Sequence, residues 1–393
     1  HLLLIYKKHG EAEYFFYSLH ENAIKREGHF DGSKWVQRLP QSISQQLVCI
    51  VVGESSFLVR DKIHQRKAFQ NHFINCGIID KNDGLWLGTE CGFIRSFSEA
   101  FIHYNASLLP DVWGVTQSAD GKIWTCSYPS AIKSIEGNQV KAERLSNDQL
   151  HYYFHPALDE SGSLYFPHNG GIIKRLVNGK IKELKNDDKL DPVCFYTFYD
   201  RQHRSLWGAF SGRAIVWNEN GQKVRQIDVA NGVKVEGNVL CIAQDSTMNY
   251  WLGGRNIYRY HWAENRLKQY KNIQLKGACY DMATDHSGTT WFATSNGLFY
   301  HDIQQDTLIK VNSPELNDLC GLVFPIDNDR LLTSQPDGLY VLSLKEFKQS
   351  GRILLSFYNG ANGYLAGEPG QAGAFKDANG DIWITGSTYL SRM

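Results

Sequence analysis

The sequence predicts an all-β chain, a β-propeller of four-stranded antiparallel blades, on three observations. An aromatic residue returns about every 42 residues. An Asp stands a short, nearly constant distance before it. In four copies a Gly follows it by six residues, with an apolar residue next.

The aromatic positions are Trp86, Trp124, Tyr165, Trp207, Trp251 and Trp291, then Leu332 in a weak copy, then Trp383. The gaps between them are 38, 41, 42, 44, 40, 41 and 51 residues. The preceding acids are Asp80, Asp159, Asp200, Asp245, Asp285, Asp327 and Asp377, with Asp120 closer in for the Trp124 copy. The trailing glycines are Gly92, Gly171, Gly297 and Gly338. The alternation in Gly288-Thr-Thr-Trp-Phe-Ala-Thr294 has a period near two, which marks a strand. The Asp suits a turn because its carboxylate accepts backbone amides, and the Gly supplies positive φ. A large indole repeated once per unit is best buried between neighbouring units. Strand, Asp turn, Trp strand, Gly turn and two further strands make one blade, and radial closure removes most sheet edges. A solenoid of hairpins is the competing architecture.

Eight repeats are clear. Leu47–Arg60 and Glu11–Leu39 would make nine or ten, and one ring plus part of a second is the other arrangement. The pattern divides the chain into residues 1–70, which match it weakly, and residues 71–393. Because the chain ends just after the second strand of its last copy, a strand from the other terminus is expected to complete that blade. The apolar Leu2–Tyr6 is the candidate.

Composition narrows the function. The 393 residues carry 41 Lys+Arg and 41 Asp+Glu, so the formal net charge is zero. Nucleic-acid binding and polybasic attachment to a membrane surface both need a basic excess, so neither is expected. The longest apolar runs, such as Leu47–Val52, are too short to span a bilayer as a helix. The chain begins at His1 rather than Met, as a mature or excised fragment would. Ten Trp, 20 Tyr, 20 Phe and 35 Gly favour strands and tight turns. The eight Cys form no C-x-x-C pair and no zinc spacing with His. They read as free, buried thiols, with Cys76, Cys194, Cys241, Cys279 and Cys320 on innermost strands. No metal and no cofactor is expected.

The units resemble the two-component-regulator propeller repeat, D-x-x-G-x-x-W-x-G-T-x-x-G-L. The copies that carry the resemblance are Asp80 to Phe93 (DKNDGLWLGTECGF) and Asp285 to Leu298 (DHSGTTWFATSNGL). The segment Leu355 to Met393 is similar to that family's closing blade. The match covers about residues 71–393. The resemblance implies a periplasmic sensor domain of a bacterial hybrid two-component system, binding or transmitting a glycan fragment. It also implies a homodimeric full-length receptor, tied to the membrane and a histidine kinase only by segments outside this sequence.

No catalytic motif stands out: there is no G-x-S-x-G, no H-E-x-x-H and no phosphate loop. The expected function is therefore non-catalytic sensing of an oligosaccharide or another small ligand. A lyase acting on a polysaccharide or lactone is the enzymatic alternative, with His151, His155 and His168 sharing one blade. A protein-interaction scaffold is the third reading. In a propeller, the loops leading into the innermost strands share one face with the turns between second and third strands. That places Trp113, Tyr152, Phe195, Tyr196 and Tyr280 beside Glu90, His168, Asn169, Arg255 and Asn296. Aromatic plates flanked by polar groups suit a sugar, which stacks its ring faces and bonds through its hydroxyls. The chosen ligand-binding residues are Trp113, His168, Arg255, Tyr152, Tyr280, Glu90 and Asn296, with Trp113, His168 and Arg255 foremost. Each Tyr or Trp has a competing role as inter-blade packing.

Overall fold

In a computed structural model, the described residues are 101–105, 109, 111–127, 131–137, 139–143, 154–177, 179–185, 193–360, 363–365 and 368–393, with the backbone of eight short strands between residues 13 and 96. The chain divides into two compact units, His1–Ala100 with Ala361–Gly363, and Phe101–Gly360 with Tyr364–Met393. Sequence places a change in repeat quality at 70/71; the division between compact units falls at Phe101. Among the described residues, no helix is long and apolar enough to cross a membrane.

In the first unit, Glu13–His20 pairs with Ala23–Asp31. Two three-stranded sheets follow, Ile50–Val52, Ser56–Val59 and Lys62–Gln65, then Ile74–Ile79, Leu85–Thr89 and Gly92–Ser96. The last of these holds the Trp86 copy, with Trp86 in register between Ile78 and Arg95.

The second unit is the propeller. Seven four-stranded antiparallel sheets follow one another, blade 1 (112–143), blade 2 (157–185), blade 3 (196–227), blade 4 (239–269), blade 5 (279–310), blade 6 (323–358) and blade 7 (369–392). Each innermost strand neighbours that of the next blade, and the first neighbours the last. The expected eight blades are thus corrected to seven, because the Trp86 copy belongs to the other unit. Ring closure is also corrected. The fourth strand of blade 7 is Ile102–Asn105, antiparallel to Tyr389–Arg392. Leu2–Tyr6, expected in that role, lie outside the described residues.

The repeated Asp does two jobs. In blades 2, 4, 5 and 7 its Oδ1 accepts the turn amides two and four residues on, as Asp245 does from Thr247 and Asn249. Its Oδ2 accepts the ring donor of the repeat aromatic: Trp251 Nε1 at 3.1 Å, Trp291 Nε1 at 2.8 Å, Trp383 Nε1 at 2.9 Å and Tyr165 OH at 2.8 Å. The sequence pattern gives this duty in blade 1 to Asp120, but Ser118 performs it, accepting from Trp124 Nε1 at 3.0 Å. Cations close the other side. Arg259 bonds Asp245 and lies over the Trp251 ring, and Arg175 treats Asp159 and Tyr165 likewise. In blade 5 the cation is Lys348, from the short helix α1 (Leu344–Ser350) of blade 6.

Blade 3 departs from the pattern because Asp200 stands seven residues before its Trp, one more than in blades 2, 4, 5 and 7. The displaced carboxylate bonds His203 and, in the next blade, Tyr250. Trp207 Nε1 is left buried without a hydrogen-bond partner. The ring is instead stacked on Tyr250, centroids 4.0 Å apart. Trp207, Trp251 and Trp291 are fully buried, as inter-blade wedges must be.

Candidate functional site

The candidate site lies at one mouth of the ring's axis. Because Val112 pairs with Ser127, the start of an innermost strand lies beside the turn between second and third strands. A cavity of about 790 Å³ opens there, lined from blades 1, 2, 3, 4, 5 and 7. Its aromatic lining is Trp113, Phe154, His155, Phe195 and Tyr280; its polar lining includes Asp111, Asn169, Glu368, Gln371 and Ser387.

Local irregularity aims these side chains. Three innermost strands shift register at their start, between Val112 and Gly114, between Val239 and Cys241, and between Cys279 and Asp281. The extra residue in each case is Trp113, Leu240 or Tyr280, and all three line the cavity. A β-bulge re-aims a side chain in this way. Blade 7 has a longer irregularity, between Pro369 and Ala374, and brings Gly370 and Gln371 to the wall. Glycine is required at Gly370 and Gly373, where an added Cβ would overlap Thr385 Oγ1. In blades 2 and 3 backbone bonds fix the lining residues instead. Phe154 N donates to Pro167 O at 3.0 Å and Phe195 N to Ala209 O at 2.9 Å.

The rings form a continuous wall across three blades. Trp113 and Phe154 centroids are 5.2 Å apart, and Phe154 and Phe195 are 6.0 Å apart. Gly114 lets the first two blades approach, since a Cβ there would stand 2.6 Å from Phe154 O. His155 packs its ring on Tyr196 at 5.2 Å, and burial pushes its pKa down to about 4, so it is neutral near pH 7. Behind Tyr280 lies Asp281, whose carboxyl burial raises to about 7 despite accepting from Val323 N at 2.9 Å and Met282 N at 2.8 Å. That carboxylate ties blade 5 to blade 6.

The residues chosen from sequence are placed unevenly. Trp113 and Tyr280 line the cavity, as do Phe195 and Asn169. His168 does not: it is fully buried, and its Nδ1 accepts Gly170 N at 2.9 Å in the turn before the third strand. Arg255 is exposed in the corresponding turn of blade 4 and is not among the lining residues. Asn296 stitches two loops, accepting Lys276 N at 2.9 Å and donating to Gln274 O at 3.0 Å, also away from the cavity. Tyr152 and Glu90, like His151, lie outside the described residues.

Phe154, His155, Leu240, Asp111, Glu368 and Gln371 were not chosen as binding residues from sequence. A signal for part of this set exists. Trp113, Phe154, Phe195, Leu240 and Tyr280 each stand five residues before a turn residue, Ser118, Asp159, Asp200, Asp245 and Asp285. The mouth position is therefore counted from that turn residue, not from the Trp.

The described cysteines Cys126, Cys194, Cys241, Cys279 and Cys320 are free and buried. Desolvation raises the thiol pKa of Cys126, Cys194, Cys241 and Cys320. Cys241 and Cys279 do sit on innermost strands, whereas Cys126 sits on a second strand. Among the described residues no group of His, Cys, Asp and Glu is arranged to hold a metal ion.

No protein-family model matches the chain. No curated protein matches it either. Solved structures do. The extracellular domain of a putative hybrid two-component system from B. thetaiotaomicron is similar at 17% identity and TM-score 0.66, over 99% of this chain and 55% of that one. A second such domain from the same organism is similar at 13% identity and TM-score 0.59, over 88% of this chain and 51% of that one. Virginiamycin B lyase from Staphylococcus aureus is similar at 16% identity and TM-score 0.60, over 76% of this chain and 99% of that one. The chain thus spans about half the length of the two-component ectodomains it resembles. At these identities the likeness establishes the fold: this chain carries a seven-bladed β-propeller of the kind found both in two-component extracellular domains and in a lyase.

Proposed function

We propose that this chain is the extracytoplasmic, non-catalytic sensing part of a two-component signalling receptor, and that it responds to a glycan fragment. One observation carries the reading, the aromatic wall Trp113–Phe154–Phe195 in a cavity that also presents Asn169, Gln371 and Ser387. A sugar has apolar C–H faces and a hydroxyl edge, and such a pocket offers a surface to each. The fold shared with two-component ectodomains supports the signalling context. A periplasmic location, a kinase in the complete receptor and its dimerisation belong to the same proposal.

Titration calorimetry of the chain against oligosaccharides from several glycans tests it. Saturable binding, weakened at least tenfold by Trp113→Ala, is the expected result. A chain that binds no sugar while the complete receptor still signals to one would count against direct recognition.

A second reading is a lyase. His155 favours it: an imidazole lining the cavity and unprotonated near pH 7 is in the form a general base requires. It predicts an unsaturated product absorbing in the ultraviolet, lost in His155→Gln. Binding without turnover separates the sensor from the enzyme.

A further inference from the structure

The cavity at the ring mouth has a charge character that its aromatic wall does not require. Asp111 of blade 1 and Glu368 of blade 7 both line it, and these blades are neighbours in the closed ring. Among the described residues, no Lys or Arg lines it. A second cavity, at the outer edge of blade 4, differs in being lined by Lys234, Arg266, Lys268 and Lys271 together with Glu236 and Asp306. Asp111 also holds a backbone conformation that L-residues avoid, with φ at 43°. Strain of that kind persists where the surroundings over-determine it, and it accumulates at ligand clamps. It lies two residues before the bulged Trp113, so the carboxylate and the indole enter the cavity from one irregular segment.

Asp111 is half-buried and Glu368 exposed at the cavity rim, and carboxylates at the mouth of a cleft repel anions because its apolar walls focus the field into the opening. The same oxygens accept hydrogen bonds from sugar hydroxyls, and stronger ones from an ammonium group. We infer that the pocket admits uncharged or amine-bearing sugars and rejects uronate and sulfated ones, with Asp111 and Glu368 at the junction of blades 7 and 1 setting the sign. The inference rests on the glycan-binding reading above and narrows it to a ligand class.

The experiment is calorimetry on the whole chain with oligosaccharides of matched length: neutral glucans, galactans and mannans, chitosan fragments, oligogalacturonates and chondroitin sulfate fragments. Binding is expected only among the neutral and amine-bearing sets, with the anionic sets weaker by about tenfold or more and the difference shrinking as salt rises. In Asp111→Asn combined with Glu368→Gln, the ratio of anionic to neutral affinity should rise about tenfold. Both replacements keep side-chain shape, and an unchanged melting temperature certifies the fold. Tighter binding of uronate or sulfated fragments by the wild type overturns the charge filter and leaves the glycan reading standing. An affinity ratio unmoved in the double variant also overturns it. Binding of no sugar of any charge overturns both.

Discussion

Trp291 Nε1 donates a 2.8 Å hydrogen bond to Asp285 Oδ2, while Asp285 Oδ1 accepts the amides of Ser287 and Thr289. One carboxylate therefore shapes the turn and orients the wedge packed behind it. Burial raises the pKa of this acid, but the bonds from Lys348, Trp291 and Ser287 outweigh it, so the group is held below its ordinary range. The blade is built around a charge that cannot be removed without leaving several donors unpaired.

Replacing that acid should be costly. Asp285→Ala is expected to lower unfolding free energy by about 3 kcal/mol, since it strands a buried indole N–H and two turn amides. Asp327→Ala in blade 6 removes an acid bonded chiefly to the exposed Arg330, and should cost less than about 1 kcal/mol. Urea denaturation of the two variants makes the comparison.

The unpartnered Trp207 gives a second contrast. Trp207→Phe removes a buried N–H that has no acceptor, whereas Trp251→Phe removes one bonded to Asp245. Both lose ring area, so the difference isolates the polar atom. Trp251→Phe should be the more destabilising by about 1–3 kcal/mol, read from denaturation midpoints at equal slope.

Asp281, which is buried, and His155, which is half-buried, pull stability in opposite directions with pH. Asp281 keeps its proton in the native state up to about pH 7, where the unfolded chain has already lost it; stability conferred this way falls as pH rises from 4 to 7. His155 stays neutral in the native state down to about pH 4, while the unfolded chain takes up a proton below its ordinary 6.5; stability conferred this way falls as pH drops. The two offset each other in the wild type. Asp281→Asn should therefore lose stability on acidification from pH 6.5 to 4, and His155→Gln should gain it, each on the order of 3 kcal/mol. Melting temperatures across that range, with the same sign in both variants, would refute the pairing.

The cavity and the buried turn are separable by mutation. Trp113→Ala should lower ligand affinity while costing little stability, because Trp113 sits on a bulge at a partly exposed rim. His168→Ala should cost about 2–3 kcal/mol, since it empties a fully buried site and removes the Nδ1 acceptor of Gly170 N. Arg255→Ala should alter neither by more than experimental error. Calorimetry and thermal melting on the three variants would show whether affinity and stability part in this way.

Much of the blade was legible in the chain because its causes are local. Asp-x-x-Gly followed by Trp is a turn leading into a strand, and that chemistry is contained within a few residues. Trp113 and Tyr280 were legible for the same reason, as aromatics at the start of innermost strands. His168 and Arg255 stand in the expected turns but do not line the cavity, because residues in equivalent turns can face inward or outward, and only packing against neighbouring blades decides which. The one-residue offset at Asp200 was visible, but its consequence, an acid bonded to Tyr250 of the next blade, was not.

By itself, then, the sequence determined the blade: its period, its turns and its buried wedge, all written within 40-odd residues. Tertiary structure alone decided how many blades close the ring, that Ile102–Asn105 completes the last one, and that five mouth residues converge on one cavity. The reason is distance along the chain. Ring closure joins strands nearly 290 residues apart, and such pairings are selected by the geometry of the whole circle rather than by any local preference.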